Sequence, residues 1–337
     1  MLLKAKQFSH IYVESAIRSH PRTLALLRRF SKNTVIEIDD YQNIFGRGKQ
    51  DFWKQKAATK LIIAAKKDSF LYAGNAFQQF GLSPNFAYNT TVLNCPYDCH
   101  YCYLQGLYVS ANLVVFVNLE DFFEAAQQRI FNRPLPDQPL ELAISYDSDL
   151  LALEGILGYV EEWTEWARGR DGLHIEVRTK SAPARFLRQV EPAAQVRLSW
   201  TLSPDAVCRR YETGAPGLKA RLDAIQLAME RGWRVSLSLD PILQITDAEE
   251  IYAEFIDQLG DSLSLEQIEW IEVGVFRVSP QHFKRMRRRP QTDLLHYPFE
   301  HGSTSVSYSV PEREERVRGV VQRLTQIFSK DKIFIWT

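Results

Sequence analysis

Residues 95–105 read CPYDCHYCYLQ and hold three of the four cysteines in a chain of 337 residues. Cys95, Cys99 and Cys102 are spaced C-x₃-C-x₂-C. Four cysteines in so long a chain do not make a disulfide framework, and three this close together favour a soft metal over mutual pairing. Two metal centres suit the spacing. A fourth thiolate or imidazole would complete a tetrahedral zinc site. His100 is the local imidazole, but it lies between two of the cysteines, where sharing one ion with both is awkward. A four-iron, four-sulfur (4Fe-4S) cluster held by three thiolates leaves one iron open to an outside ligand. Three buried structural thiols are the plainest alternative. The fourth cysteine, Cys208, sits in the helical stretch DAVCRRYE and reads as a structural thiol.

A scaffold must carry these residues, and the chain supplies one by alternation. Strand-like runs occur at LVVFV (113–117), LELAIS (140–145), LHIEVRTK (173–180), VRLSWTL (196–202), WRVSLSLDPI (233–242) and IEWIEVGVF (268–276). Helical patterns lie between them, among them LEDFFEAAQQRIF, LALEGILGYVEEWTEWARG, GLKARLDAIQLAMERG and DAEEIYAEFIDQLG. Strand, helix, strand in succession means βαβ units and a parallel sheet. About six units make an α/β open or partial barrel, whose chemistry gathers at the C-terminal ends of the strands. Residues 1–85 read as a small N-terminal α/β extension, with strands at HIYVESA, NTVIEID and TKLIIAAKK and a helix at RTLALLRRF. LSPNFAYNT (82–90) reads as a loop leading to the cysteines, so 86–337 is expected to form the barrel and a C-terminal substrate-binding segment.

Hydrophobic residues make up 45% of the chain, enough for a filled core, and Lys+Arg equals Asp+Glu at 41 each. No global field draws in nucleic acid or membrane, so any polyanion contact needs a local patch. The N-terminal MLLKAKQFSHIYVESA has no apolar leader core, and no run nears the ~18 apolar residues a membrane span needs. A cytoplasmic monomer without membrane contact is expected.

The cysteine spacing, with the aromatic Tyr101 before the third cysteine, resembles the radical S-adenosylmethionine (SAM) superfamily. The resemblance implies a partial (β/α)6 barrel of the radical-SAM type. It also implies a cluster whose open iron takes the amino and carboxylate groups of SAM, and a reductant such as flavodoxin or ferredoxin. Reductive cleavage of SAM would then give a 5′-deoxyadenosyl radical that abstracts hydrogen. A closer likeness runs along almost the whole chain. CHYCYLQ followed by VFVNLEDFF, with HIYVES, SDLLALEG, RTKS, RRYETGAPGLKARLDAI, LDPI and FRVSPQHFKRM in the same order, resembles the spore photoproduct lyase family. That family reverses a thymine dimer in spore DNA without light, so DNA is the candidate substrate.

Carried over residue by residue, the likeness places Ser148 and Asp149 against the methionine and ribose parts of SAM, although the pair equally suits a helix N-cap. Lys180 would face the cofactor carboxylate; a solvated strand end is the other reading. Thr201, with Ser199 and Ser203, ends the next strand, and Asp240 opens the segment that would flank the adenine. Tyr101 and Tyr103 match the family's tyrosine pair beside the third cysteine and are candidate relays.

Two departures stand out. The family keeps a hydrogen-returning cysteine shortly before the Ser-Asp pair, but here the stretch reads AISYDSD and no cysteine lies between Cys102 and Cys208. Ser145 or Tyr146 occupies the place. A serine O–H is too strong to give up a hydrogen atom to such a radical, which leaves Tyr146. Near the C-terminus the family's Arg and Tyr after a glycine are replaced by Ser303 and Thr304 after Gly302. What remains for phosphates is Arg277 and the run HFKRMRRRP, in which Lys284, Arg285, Arg287, Arg288 and Arg289 have no intervening acid. A solvated helix face is the competing reading of that run. Three functions fit: a thymine-dimer lyase with an altered hydrogen return, a related enzyme with another substrate, and a non-catalytic cluster-and-SAM protein. The full set of cofactor-side residues disfavours the third.

Overall fold

Phe86–Tyr88 forms a short strand inside the stretch expected to be a loop, pairing in parallel with Leu140–Ala143. The three residues between Asn85 and Asn89 are too few to show a period of two, and the flanking turn formers hide them. The structure is a computed structural model that describes residues 8–74 and 83–336. Residues 1–7, read above for a leader, and Leu82 at the head of the expected loop lie outside the described residues.

The chain divides into two compact units. One comprises Met1–Pro96, Tyr108–Arg178 and Ala193–Val196; the other comprises Tyr97–Leu107, Thr179–Pro192 and Arg197–Thr337. In the first, His10–Glu14 is flanked in parallel by Thr34–Ile38 and Leu61–Ala64, and the latter pairs in parallel with Leu113–Phe116. The LVVFV strand therefore joins this sheet, and Phe86–Tyr88 stands beside Leu140–Ala143 in its stead. An all-apolar run buried on both faces suits either sheet, so its composition could not choose between them. Leu140–Ala143 pairs in parallel with Leu173–Thr179.

Helix Leu119–Phe131 matches the helical pattern residue for residue and buries Phe122, Ala126 and Ile130 along one stripe. The long pattern after Asp149 is cut in two at Gly158, whose φ of 70° is the left-handed conformation that glycine adopts without a Cβ penalty.

The second unit is a run of parallel strands. Arg234–Ile242 lies between Val196–Thr201 and Ile268–Val275, and Ile333–Trp336 pairs on the far side of Ile268–Val275. Their inner residues, including Leu198, Trp200, Val235, Leu237, Ile271 and Val273, are fully buried, as expected of parallel strands covered on both faces. Arg277–Val278, Val306–Ser307 and Glu300–His301 add a small antiparallel sheet, with Gly302 in its turn. Among the described residues no helix is long and apolar enough to cross a membrane.

Candidate active site

The cysteine loop is pinned from several directions within the second unit. Asp98–Cys99 forms a two-residue antiparallel ladder with Glu212–Thr213, and the His100 amide donates to the Tyr211 carbonyl at 2.8 Å. Gln105 folds its amide back onto the Cys99 and His100 carbonyls at 3.0 and 2.7 Å. Arg289 holds Asp98 through two bonds of 2.8 Å each and Gln105 Oε1 at 3.1 Å. These bonds fix the backbone around Cys99 and His100. His100 turns its ring to Thr292 (3.1 Å), and burial together with Arg289 lowers its pKa.

Cys95 belongs to the first unit, where it follows Asn94 in a left-handed conformation that asparagine tolerates. The Asn94 amide is tied to the carbonyls of Ser110 and Asn112 at 2.8 Å each, and Lys56 donates to the Cys95 carbonyl at 2.5 Å. None of the four cysteines is in a disulfide. Among the described residues no three His, Cys, Asp or Glu side chains stand together as a ready metal cage. Cys208 is buried in a helix, its Sγ donating to the Ser203 carbonyl at 3.3 Å, and burial beside Glu212 pushes its thiol up to about 12. It is the structural thiol that the sequence suggested.

Behind the loop lies a buried charge network that sequence reasoning missed. The Tyr101 hydroxyl donates to Glu212, whose other carboxylate oxygen takes the Arg221 guanidinium. Both charged side chains are fully shielded from solvent. Arg221 also donates to the carbonyls of Pro216 (2.8 Å) and Thr201 (3.1 Å), so all three of its nitrogens are engaged. Lys180 stands with its ammonium 5.4 Å from the Tyr101 ring centroid. Burial alone would raise the Glu212 pKa, but Arg221 and Lys180 outweigh it and hold the carboxylate below its usual range. Burial and Glu212 raise that of Tyr101, so the phenol keeps its proton and aims it at Glu212. The segment RRYETGAPGLKAR was notable only as a stretch of family likeness.

The other expected cofactor residues divide between structural and open roles. Asp149 caps helix Leu150–Leu157, accepting the Ala152 amide at 2.9 Å, which realises the capping alternative. Ser148 and Ser199 are buried, and among the described residues neither hydroxyl has a hydrogen-bond partner. An unsatisfied buried hydroxyl is costly, so a polar ligand group at either would be stabilising. Thr201 gives its carbonyl to Arg221. Asp240 is bound by Arg277, Nη1 to Oδ1 at 3.0 Å and Nη2 to Oδ2 at 2.9 Å. The Tyr103 carbonyl starts the helical turn Leu104–Leu107 by accepting the amides of Gly106 and Leu107.

In the first unit the strand end after Leu140–Ala143 separates the two donor candidates. Ser145 is a stitch: its hydroxyl donates to the Arg178 carbonyl at 3.0 Å and accepts the Arg178 amide at 2.7 Å. Tyr146 packs its ring 4.3 Å from that of Tyr88, which stacks at 5.2 Å on Tyr72. Of the six cations proposed for phosphates, Arg277, Arg285 and Arg289 are bonded within the second unit, whereas Lys284, Arg287 and Arg288 are exposed.

The spore photoproduct lyase family model matches residues 7–290, most of the chain. The chain belongs to the spore photoproduct lyase family. It is similar to the spore photoproduct lyases of a Geobacillus species, 26% identical over 75% of this chain and 73% of the relative, and of Bacillus subtilis, 22% identical over the same shares. Among solved structures it is similar to a spore photoproduct lyase double mutant with bound AdoMet and dinucleoside spore photoproduct, with a TM-score of 0.84 and 19% identity over 98% of this chain and 99% of that one. A spore photoproduct lyase complexed with dinucleoside spore photoproduct matches with a TM-score of 0.83 and 18% identity over 97% and 98%. The fold is the expected α/β partial barrel of the radical-SAM type. Membership makes the protein a radical-SAM lyase whose cofactors are a 4Fe-4S cluster and SAM. Three thiols outside any disulfide are the donor type that such a cluster takes.

Proposed function

We propose that this protein acts on a thymine-dimer lesion of the spore photoproduct type in DNA and returns hydrogen from Tyr146 where its family uses a cysteine. Cys95, Cys99 and Cys102 hold three irons of the cluster. Lys180, Ser148 and Ser199 bind SAM, with Asp149 and Thr201 shaping the strand ends beside them. Bound and reduced, the two cofactors supply the 5′-deoxyadenosyl radical that removes a hydrogen atom from the lesion. The chain does the rest. Glu212 and Arg221 keep Tyr101 fixed beneath the cysteine loop. Tyr101 directs its proton to Glu212, which suits it to a relay that loses an electron while the proton stays local. Tyr146 then donates its O–H hydrogen atom to the product radical and becomes a neutral phenoxyl radical. It regains its phenol by taking one electron from a flavodoxin- or ferredoxin-type reductant and one proton from solvent, with Tyr101 and Tyr103 as candidate relays for the electron.

The observation that carries this reading is the strand end at Ser145 and Tyr146. Ser145 is spent on the backbone of Arg178, while Tyr146 lies against Tyr88, whose phenol burial pushes up to about 12. Hydrogen transfer needs reacting atoms at roughly 3–3.5 Å, and a tyrosine is the donor type present there.

A second reading, a related reaction on a different substrate, is favoured by the turn at Gly302, where Ser303 and Thr304 stand in place of the family's Arg and Tyr. We infer a cytoplasmic monomer reduced by a flavodoxin- or ferredoxin-type protein. Anaerobic reconstitution with iron and sulfide, followed by reduction with SAM, tests the function. The expected result is 5′-deoxyadenosine formation that rises when dinucleoside spore photoproduct is added. Formation that the dinucleoside leaves unchanged would favour the different substrate.

A further inference from the structure

The Pro280–Met286 helix and the three residues after it carry five cations, which do two different jobs. Arg285 and Arg289 reach the cysteine loop. Arg285 donates to the Gly106 and Leu107 carbonyls at 3.0 and 3.2 Å, tying down the end of the turn Leu104–Leu107. Arg289 grips Asp98 and Gln105, and Gln105 grips the Cys99 carbonyl, a path of two hydrogen bonds from guanidinium to ligand backbone. The helix meets the turn without slack: a Cβ added at Gly106 would lie 2.4 Å from the His282 carbonyl oxygen. Lys284, Arg287 and Arg288 are exposed instead and line a surface depression of about 530 Å³ together with Pro280, Phe283 and His301. Among the described residues these three cations have no ion pair or side-chain hydrogen bond.

We propose that this segment couples substrate docking to the cluster: phosphates of a nucleic-acid strand bind Lys284, Arg287 and Arg288, and the Arg285 and Arg289 latches transmit that occupancy to the Cys99 and Cys102 thiolates. The proposal rests on the cluster reading of the loop and deepens it by naming how substrate regulates it. Charge complementarity selects the occupant. Three unpaired cations at i, i+3 and i+4 share one face and attract a polyanion in a chain whose net charge is zero. Phe283 and Pro280 in the same depression offer an apolar surface to a base. Transmission follows from the packing. A small displacement of the helix must move the turn at Gly106 and the Arg289–Gln105 path, because backbone meets backbone there. Docking shifts the loop to the extent that the phosphates prefer one of its positions over another.

The test uses the reconstituted holoprotein and a single-stranded oligothymidylate, with binding read by fluorescence anisotropy and the cluster by electron paramagnetic resonance after reduction. Three single-strand phosphate contacts should weaken binding roughly twenty-fold between ~50 and ~200 mM salt. Saturating oligonucleotide should change the resonance line shape. The triple variant K284Q, R287Q, R288Q should lose at least about ten-fold in affinity, as the loss of such contacts requires, and keep an unresponsive cluster. Arg289→Ala should bind the strand as wild type does and show no line-shape change; if it fails to hold iron, Arg285→Lys takes its place. Binding without a line-shape change in wild type, or a response that survives in Arg289→Ala, overturns the coupling. No binding at low salt overturns the docking face, whereas wild type that never takes up iron removes the cluster reading itself.

Discussion

Arg277, which opens the strand Arg277–Val278, and Asp240, within the strand Arg234–Ile242, close a two-bonded ion pair with both side chains mostly buried. The sequence assigns one to phosphates and the other to the cofactor, yet the first claim on each is the other. Gly274 makes room for them, since a Cβ there would lie 2.9 Å from both Arg277 Nη1 and Asp240 Cγ. Arg277→Ala should therefore cost about 3 kcal/mol in urea unfolding, as expected when a mostly buried carboxylate loses its partner. It should leave the salt dependence of DNA binding unaltered. Intact stability with a flattened salt slope would return Arg277 to the phosphate role.

Glu212 should be a stability residue with a marked acid dependence. Its carboxylate sits below the ordinary 4.5 because Arg221 and Lys180 outweigh the effect of burial. A depressed folded pKa contributes stability that is complete above the unfolded value and is lost as pH falls through the folded one. Glu212→Gln leaves Arg221 buried without a counter-charge, which should cost about 3–5 kcal/mol near neutral pH. The gap between variant and wild type should narrow as pH drops below the carboxylate range. A gap that stays constant from neutral pH into acid would contradict the charged pair.

Much of the scaffold could be read in advance for a physical reason: the strands of the second unit alternate apolar and polar residues, as in VRLSWT and RVSLSLDPI, and helix Leu119–Phe131 keeps its period for its full length. Phe86–Tyr88 was too short to show a period, and Gly158 broke a helical pattern that looked unbroken. The cysteines were legible because their partners are neighbours in sequence. Glu212 was not, because it meets Tyr101 from 111 residues away and charged residues default to the surface. The basic run held a usable clue in its spacing: 284, 287 and 288 fall on one side, and 285 and 289 on another.

The three clustered cysteines should each be indispensable to iron binding. Alanine at Cys95, Cys99 or Cys102 should abolish the four-iron cluster, while Cys208→Ala should retain it, since that thiol is turned to the Ser203 carbonyl. Iron and sulfide analysis of anaerobic preparations decides this. Stoichiometric zinc without iron would point to the other metal.

Lys180 should act on the cofactor and leave the cluster alone. Lys180→Ala should weaken SAM binding by roughly 1.5–3 kcal/mol, the range for a hydrogen bond to a charged group. An equilibrium titration that finds unchanged affinity would remove Lys180 from the cofactor and leave it beside the Tyr101 ring, where its charge acts on Glu212.

Hydrogen return through Tyr146 is tested most directly by incubating the reduced holoprotein with SAM and dinucleoside spore photoproduct and counting both products. Wild type should form 5′-deoxyadenosine in clear excess over repaired dinucleotide, because a phenol gives hydrogen to a carbon radical more slowly than a thiol does. Tyr146→Cys should raise repair per SAM cleaved, and Tyr146→Phe should abolish what repair remains. Efficient repair by wild type, undiminished in Tyr146→Phe, would contradict the assignment and send the hydrogen by another route.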